Sequence, residues 1–335
     1  MKLDQTKTHV VHQWKHGKPL LACAFDPSGQ FLYTTSEDFS IQRWLMSDAK
    51  GEQKTSWPAH DSWIRGLMAC PDGKTMISAG LDDRLMFWPI GEATPKPIRE
   101  VVAHKGWVRG LDVNKDGSLI ATGGADRLVK LWTADGKLVR EFKAHERDVY
   151  SVRLHSDGKH LLSGDLDGKV HQWSIKDGKI TRTFDASALH SYNKGQRVHF
   201  GGVRDMAINA GSSLLACCGL HKATNPLGAI HEPLIELFDW KSGKKVRSQP
   251  SAGIRGSAWK VAFLSDGTQV TVSGGSGGGY LLFFRTGEDK PFHKFKLKNT
   301  ARDMAIHPDG VTIATTHHDG YARVSRMAAK VSLPK

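Results

Sequence analysis

Residues His104–His145 read HKGWVRGLDVNKDGSLIATGGADRLVKLWTADGKLVREFKAH. Four short runs in this stretch, Trp107–Val113, Leu119–Gly123, Leu128–Trp132 and Lys137–Lys143, carry the alternating apolar and β-branched residues that predict strands. Between them lie Lys115-Asp116-Gly117, Ala125-Asp126 and Asp135-Gly136, where Asp and Gly tolerate turn geometry. A single four-stranded sheet cannot bury its own faces. The stretch therefore needs neighbours of its own kind.

The rest of the 335-residue chain supplies them. His104 is followed by a turn at Asp116-Gly117 and an aromatic residue at Trp132. The same spacing joins His16 to Ser28-Gly29 and Trp44, His60 to Asp72-Gly73 and Trp88, and His145 to Asp157-Gly158 and Trp173. Three degenerate units start near His199, near Ile254 with Asp266-Gly267, and near Leu297 with Asp309-Gly310. Starts at 16, 60, 104, 145, 199, 254 and 297 lie 44, 44, 41, 54, 55 and 43 residues apart, which suits four strands per unit.

The pattern His…Asp-Gly…Ser/Thr…Asp…Trp resembles the WD-repeat family of β-propellers, in the manner of a single-domain bacterial-type member. Departures are visible: Gly-His becomes Ala-His before His60, His104 and His145, and the final units carry Phe238, Phe284 and Ser325 in place of Trp. The resemblance implies an all-β fold, a seven-bladed β-propeller of four-stranded antiparallel blades. One domain spans 1–335, and the ring is closed by the N-terminal strand, residues 8–15 completing the last blade. The tail Lys330–Lys335 competes for that edge but carries Pro334, which cannot donate to a ladder.

Each regular unit repeats one polar set: His16/Thr34/Asp38/Trp44, His60/Ser78/Asp82/Trp88, His104/Thr122/Asp126/Trp132 and His145/Ser163/Asp167/Trp173. Such sets could be mistaken for Ser-His-Asp catalytic triads. The resemblance implies instead a buried chain from Asp to His to hydroxyl to indole, which satisfies polar groups that are costly to bury unpaired. Fourfold recurrence supports structure, since an active site needs one nucleophile in one pocket. No catalytic, cofactor or metal site is expected: in His317-His318-Asp319, His318 merely precedes the turn Asp of the last unit, His307 belongs to the turn His307-Pro308-Asp309-Gly310, and Gly274–Gly279 reads as a flexible loop with no Lys-Ser/Thr after it. Cys23, Cys70, Cys217 and Cys218 form no CxxC pair, so neither a disulfide framework nor a zinc site is anticipated.

In a propeller the first strand of each blade borders the channel. Five residues after each start stand Leu21, Arg65, Arg109, Tyr150, Arg204, Trp259 and Arg302, with Trp63 and Trp107 two positions earlier. Arg and aromatic residues are the types enriched in interface hot spots. Two insertions, around 186–197 and 220–231, are expected on the same face, where long loops are often functional. Lys and Arg number 47 against 34 Asp and Glu, a net charge of +13, which favours acidic proteins, nucleic acid or an anionic surface without choosing among them; the partner expected is a protein, acidic or anionic at the contact. The expected function is thus a non-catalytic protein–protein interaction scaffold, monomeric and cytoplasmic, without a signal sequence or membrane span. The alternative is a nucleic-acid or ribonucleoprotein-associated propeller using its basic surface, though the basic residues are scattered and no RNA-binding motif is present. An enzyme with a site at the channel mouth ranks below both.

Overall fold

The computed structural model describes residues 2–225 and 230–330. Seven four-stranded antiparallel sheets follow one another around a ring. Blade 3 is the template: Val108–Val113, Leu119–Gly124, Leu128–Thr133 and Leu138–Lys143, ordered from the channel outward. Blade 7 takes Ala301–Ile306, Thr312–His317 and Tyr321–Arg326 from one end of the chain and His9–Lys15 from the other, so the expected closure is the one observed.

The core is divided among seven clusters, each made where one blade packs on the next. Ile77, Leu85 and Phe87 of blade 2 meet Val108, Ile120 and Trp132 of blade 3. Trp14, Ala314 and Val324 of blade 7 meet Leu20, Leu32 and Trp44 of blade 1, which completes the circle. Middle strands are covered on both faces, and Thr312–His317 is buried throughout. Outer strands have one wet side, so Leu138–Lys143 buries only Phe142. This gradient explains why the inner runs read as continuously apolar and the outer ones as polar.

Two expectations need correction. His199 does not open blade 5, whose first strand is Asp205–Ile208. It belongs to an added two-stranded hairpin, His190–Asn193 with Val198–Gly201, built from the first insertion and preceded by a 3-10 turn at Ser187–Leu189. The second insertion lengthens the Leu214–Asn225 and Ile230–Asp239 strands of blade 5; residues 226–229 of that expectation, and 331–335 of the tail, lie outside the described residues. The glycine run of blade 6 is a tight hairpin and not a loose loop, because Gln269–Gly275 and Gly278–Phe284 pair up to Gly275 opposite Gly278. A Cβ on Gly274 would come within 1.9 Å of the Ala301 carbonyl, so the glycine lets blade 7 approach.

Candidate functional site

The polar sets occupy the turn end of each blade. In blade 3, His104 Nδ1 donates to Asp126 Oδ1 at 2.8 Å, Thr122 Oγ1 lies 2.8 Å from His104 Nε2, and Trp132 Nε1 donates to Thr122 Oγ1 at 2.9 Å. Blade 2 repeats this with Asp82, His60, Ser78 and Trp88 at 2.8, 2.8 and 2.9 Å. In both chains the hydroxyl residue has no solvent exposure. Burial alone would raise the Asp82 carboxyl, but the hydrogen bond and charge of His60, the Asp61 amide and Arg84 hold it well below the usual range.

Blades 1 and 4 depart from the set. In blade 1 the His16 ring meets Asp38 at 2.7 Å, but Gln42 stands between it and Thr34, which donates to Gln42 Oε1 at 2.9 Å. Trp44 still donates to Thr34 at 2.9 Å. Gln42 occupies the strand position that holds Met86 and Lys130 in the next two blades, and only its amide can accept from the threonine. In blade 4, His145 and Ser163 meet at 2.6 Å and Trp173 donates to Ser163 at 2.8 Å. The carboxylate, however, is Asp165, 2.8 Å from His145 Nδ1, and not Asp167. The reason is local. At the matching position blades 2 and 3 have Gly80 and Gly124, where a Cβ would sit 2.3 and 2.4 Å from the histidine Nδ1. With glycine there, the turn Asp reaches the ring; with Asp165 there, its own side chain fills the space and Asp167 is displaced.

The seven channel positions do line the channel, a cavity of about 930 Å³. A β-bulge accounts for five of them. The first-strand register shifts between Ile64 and Gly66, Val108 and Gly110, Val149 and Ser151, Ala258 and Lys260, and Ala301 and Asp303. The residues left over are Arg65, Arg109, Tyr150, Trp259 and Arg302. A bulge leaves one residue out of the ladder and re-aims its side chain, here into the channel. Leu21 falls in the corresponding irregularity of blade 1, and Arg204 lies just before the first strand of blade 5.

These side chains interleave. The Arg109 guanidinium lies 4.7 Å from the Trp107 ring and 4.5 Å from Tyr150, and Arg204 lies 4.7 Å from Tyr150 and 5.3 Å from Trp259. Arg65 covers Trp63 at 5.6 Å. Each such contact contributes about 0.5–2 kcal/mol and fixes a flexible cation on a rigid plate. Arg302 pairs with Glu37 at 3.0 Å, and Arg109 Nε lies 3.3 Å from Asp148 without hydrogen-bond alignment. Among the described residues Arg65 and Arg204 have no carboxylate partner. Burial, followed by the charges of Arg302, Arg204 and Arg109, pushes Arg65 down to about 10. Burial does the same in direction to Arg204. Beside the ring, exposed Trp63 and Trp107 border a notch of about 300 Å³ with Phe39, Leu81, Arg65 and Arg109.

Deeper in the channel lies a belt the sequence reading missed. Arg153 bridges Asp112 and Asp205, both at 2.9 Å, and Lys260 pairs with Asp303 at 3.0 Å. Asp112, Asp205 and Asp303 each also accept the backbone amide of the next blade, from Leu154, Val261 and Cys23. Charged residues inside otherwise apolar first strands were the available signal. Of the other histidines, His317 bonds Thr315 and the Asn299 carbonyl, His318 faces Arg302, Asp319 pairs with Arg323 and His307 bonds the Gly29 carbonyl. The four cysteines are buried free thiols.

Seven blades, a shared outer strand and a repeated His–hydroxyl–Trp bracket define a β-propeller built from sequence repeats. The family model described as WD domain, G-beta repeat, matches residues 7–44, 51–89, 95–133 and 136–174, and the chain belongs to this WD40-repeat family. Each matched segment takes the outer strand of one blade and three strands of the next. Compared with curated proteins, the chain matches none. Among the described residues no helix is long and apolar enough to cross a membrane.

Proposed function

We propose that this propeller is a non-catalytic scaffold that docks a partner protein through the channel mouth, and that the partner presents an acidic segment there. The observation that carries this reading is the Arg–aromatic ring, in which Arg65 and Arg204 are half-buried, held by aromatic plates and without a carboxylate of their own. Guanidinium groups arranged in this way accept a carboxylate through a bidentate fork at little further entropic cost. Trp63 and Trp107 add the exposed apolar anchors that interfaces of this kind use. WD-repeat propellers typically act as protein-interaction scaffolds, which supports the class of function. The partner's acidity rests on the ring.

The test changes Arg65, Arg109, Arg204 and Arg302 together to Glu in the full chain, with circular dichroism to check folding. Proteins co-purifying with the wild type are expected to be lost. An unchanged set of partners from a folded variant would remove the channel mouth from the reading. The surplus of Lys and Arg, +13 overall, favours a second reading, binding of nucleic acid along the basic surface. That reading requires affinity for RNA or DNA that falls steeply with salt. A filter-binding titration with no retention at low salt would exclude it.

A further inference from the structure

We propose that Asp167, His190 and His199 form a binding site for a divalent transition-metal ion of the zinc class, with two imidazoles and one carboxylate as protein ligands. The inference is independent of the docking role. It begins with the displacement of Asp167 from the blade 4 network. Its Oδ1 is buried and has no hydrogen-bond partner. An orphaned carboxylate oxygen is costly to bury, so its surroundings need an explanation.

Those surroundings are the added hairpin. His190 pairs across it with Gly201 and His199 with Tyr192, which makes the two histidines diagonal neighbours on one face. Their rings stack at 5.1 Å, with His190 Nε2 and His199 Nδ1 2.9 Å apart. Asp167 Oδ1 lies 3.7 Å from the first nitrogen and 3.9 Å from the second. The centre of a triangle with sides 2.9, 3.7 and 3.9 Å lies about 2.1 Å from each corner, the length of a Zn–N or Zn–O bond. Imidazole nitrogens select zinc and its neighbours over magnesium and calcium, which prefer all-oxygen shells. Three protein ligands leave a fourth position for water or a group from outside. All three side chains are partly accessible, at 23, 20 and 29% exposure, so an ion can enter.

A second residue type cluster, His155, Asp157 and His160, is already committed. The Asp157 amide donates to His155 Nδ1 at 3.1 Å, and His160 bonds Asp157 at 2.7 Å. It serves as the control. Arg147 opposes the proposed site: its Nε lies 3.4 Å from Asp167 Oδ2 and its Nη2 3.4 Å from His199 Nε2. Ligation through Nδ1 places the His199 proton on Nε2, so two donors then face each other across that contact. The ion would pin the hairpin to blade 4. The ligands at 167, 190 and 199 fall outside any short motif, which is why the sequence reading anticipates no metal.

The experiment titrates Zn²⁺ into the untagged full chain against a chromophoric chelator. One saturable site is expected. Asp167→Asn and the pair His190→Gln/His199→Gln should each weaken it by about tenfold or more, with apo-protein unfolding midpoints unchanged because Asp165 holds the network. Arg147→Ala should tighten it, and His155→Gln/His160→Gln should leave it alone. Absence of a saturable site, wild-type affinity in the folded Asp167 and histidine variants, or loss in the control pair would overturn the proposal.

Discussion

His317 lies in the second strand of blade 7 with no solvent exposure, its Nε2 2.8 Å from Thr315 Oγ1 and its Nδ1 3.1 Å from the Asn299 carbonyl. Burial first, then the charge of Arg323, lowers this histidine to about 4. An unfolded histidine titrates near 6.5. As pH falls from about 6.5 to about 4, the unfolded chain takes up a proton that the folded one refuses, so stability is lost across that window. The loss from His317 alone is on the order of 3 kcal/mol. His171, lowered to about 4 by burial and His145, has the same sign, whereas Asp112 and Asp303, raised by burial, oppose it. Urea midpoints are expected to fall between pH 7 and pH 5, and His317→Gln should flatten that fall. Equal slopes for the variant and the wild type would refute the assignment to His317.

Within elements, the turns between second and third strands show how one spacing admits different residues. Phe39, Asp83 and Arg127 adopt positive φ there, at 68, 74 and 66°, and Gly168 takes the same place in blade 4 at 82°. At Gly168 the neighbouring segment crowds the turn, since a Cβ would meet the Ala186 carbonyl at 2.5 Å. Gly168→Ala is therefore expected to cost about 1–3 kcal/mol in chemical denaturation, more than an αL alanine alone would. A loss below the measurement error would mean that the Ser187–Leu189 turn yields. The same elements explain what could be read in advance. Five of the ring residues were legible because the bulge falls at one place in their first strands, so a fixed offset finds it without knowledge of the bulge. Asp165 was not legible. Its competition with Asp167 is decided by the space beside His145, which spacing from Trp173 does not encode. Nor was the Arg153 bridge, because its partners lie 41 and 52 residues away in other blades.

For the molecule as a whole, the repeat made the number of blades and the closure readable from four good units, while blade 5 was misplaced where an inserted hairpin supplied a decoy histidine. Closure rests on one strand. His9–Lys15 covers Tyr321–Arg326 and delivers Trp14 to the cluster between blades 7 and 1. Deleting residues 2–15 is expected to leave an open edge and uncover Trp44, giving a chain that self-associates on size-exclusion chromatography. A monomer with unchanged melting would show that closure is dispensable. The pairing also has a history in time. Lys15 meets Tyr321 and His9 meets Arg326, separations of 306 and 317 residues. At about 5–20 residues per second of synthesis, the earlier strand waits roughly 15–60 s for its mate to be made. During that wait six blades can pack in sequence, but Val10, Val11 and Trp14 remain a sticky loose end. The histidines and lysine that flank them keep that end hydrated until the ring has something to fasten it to.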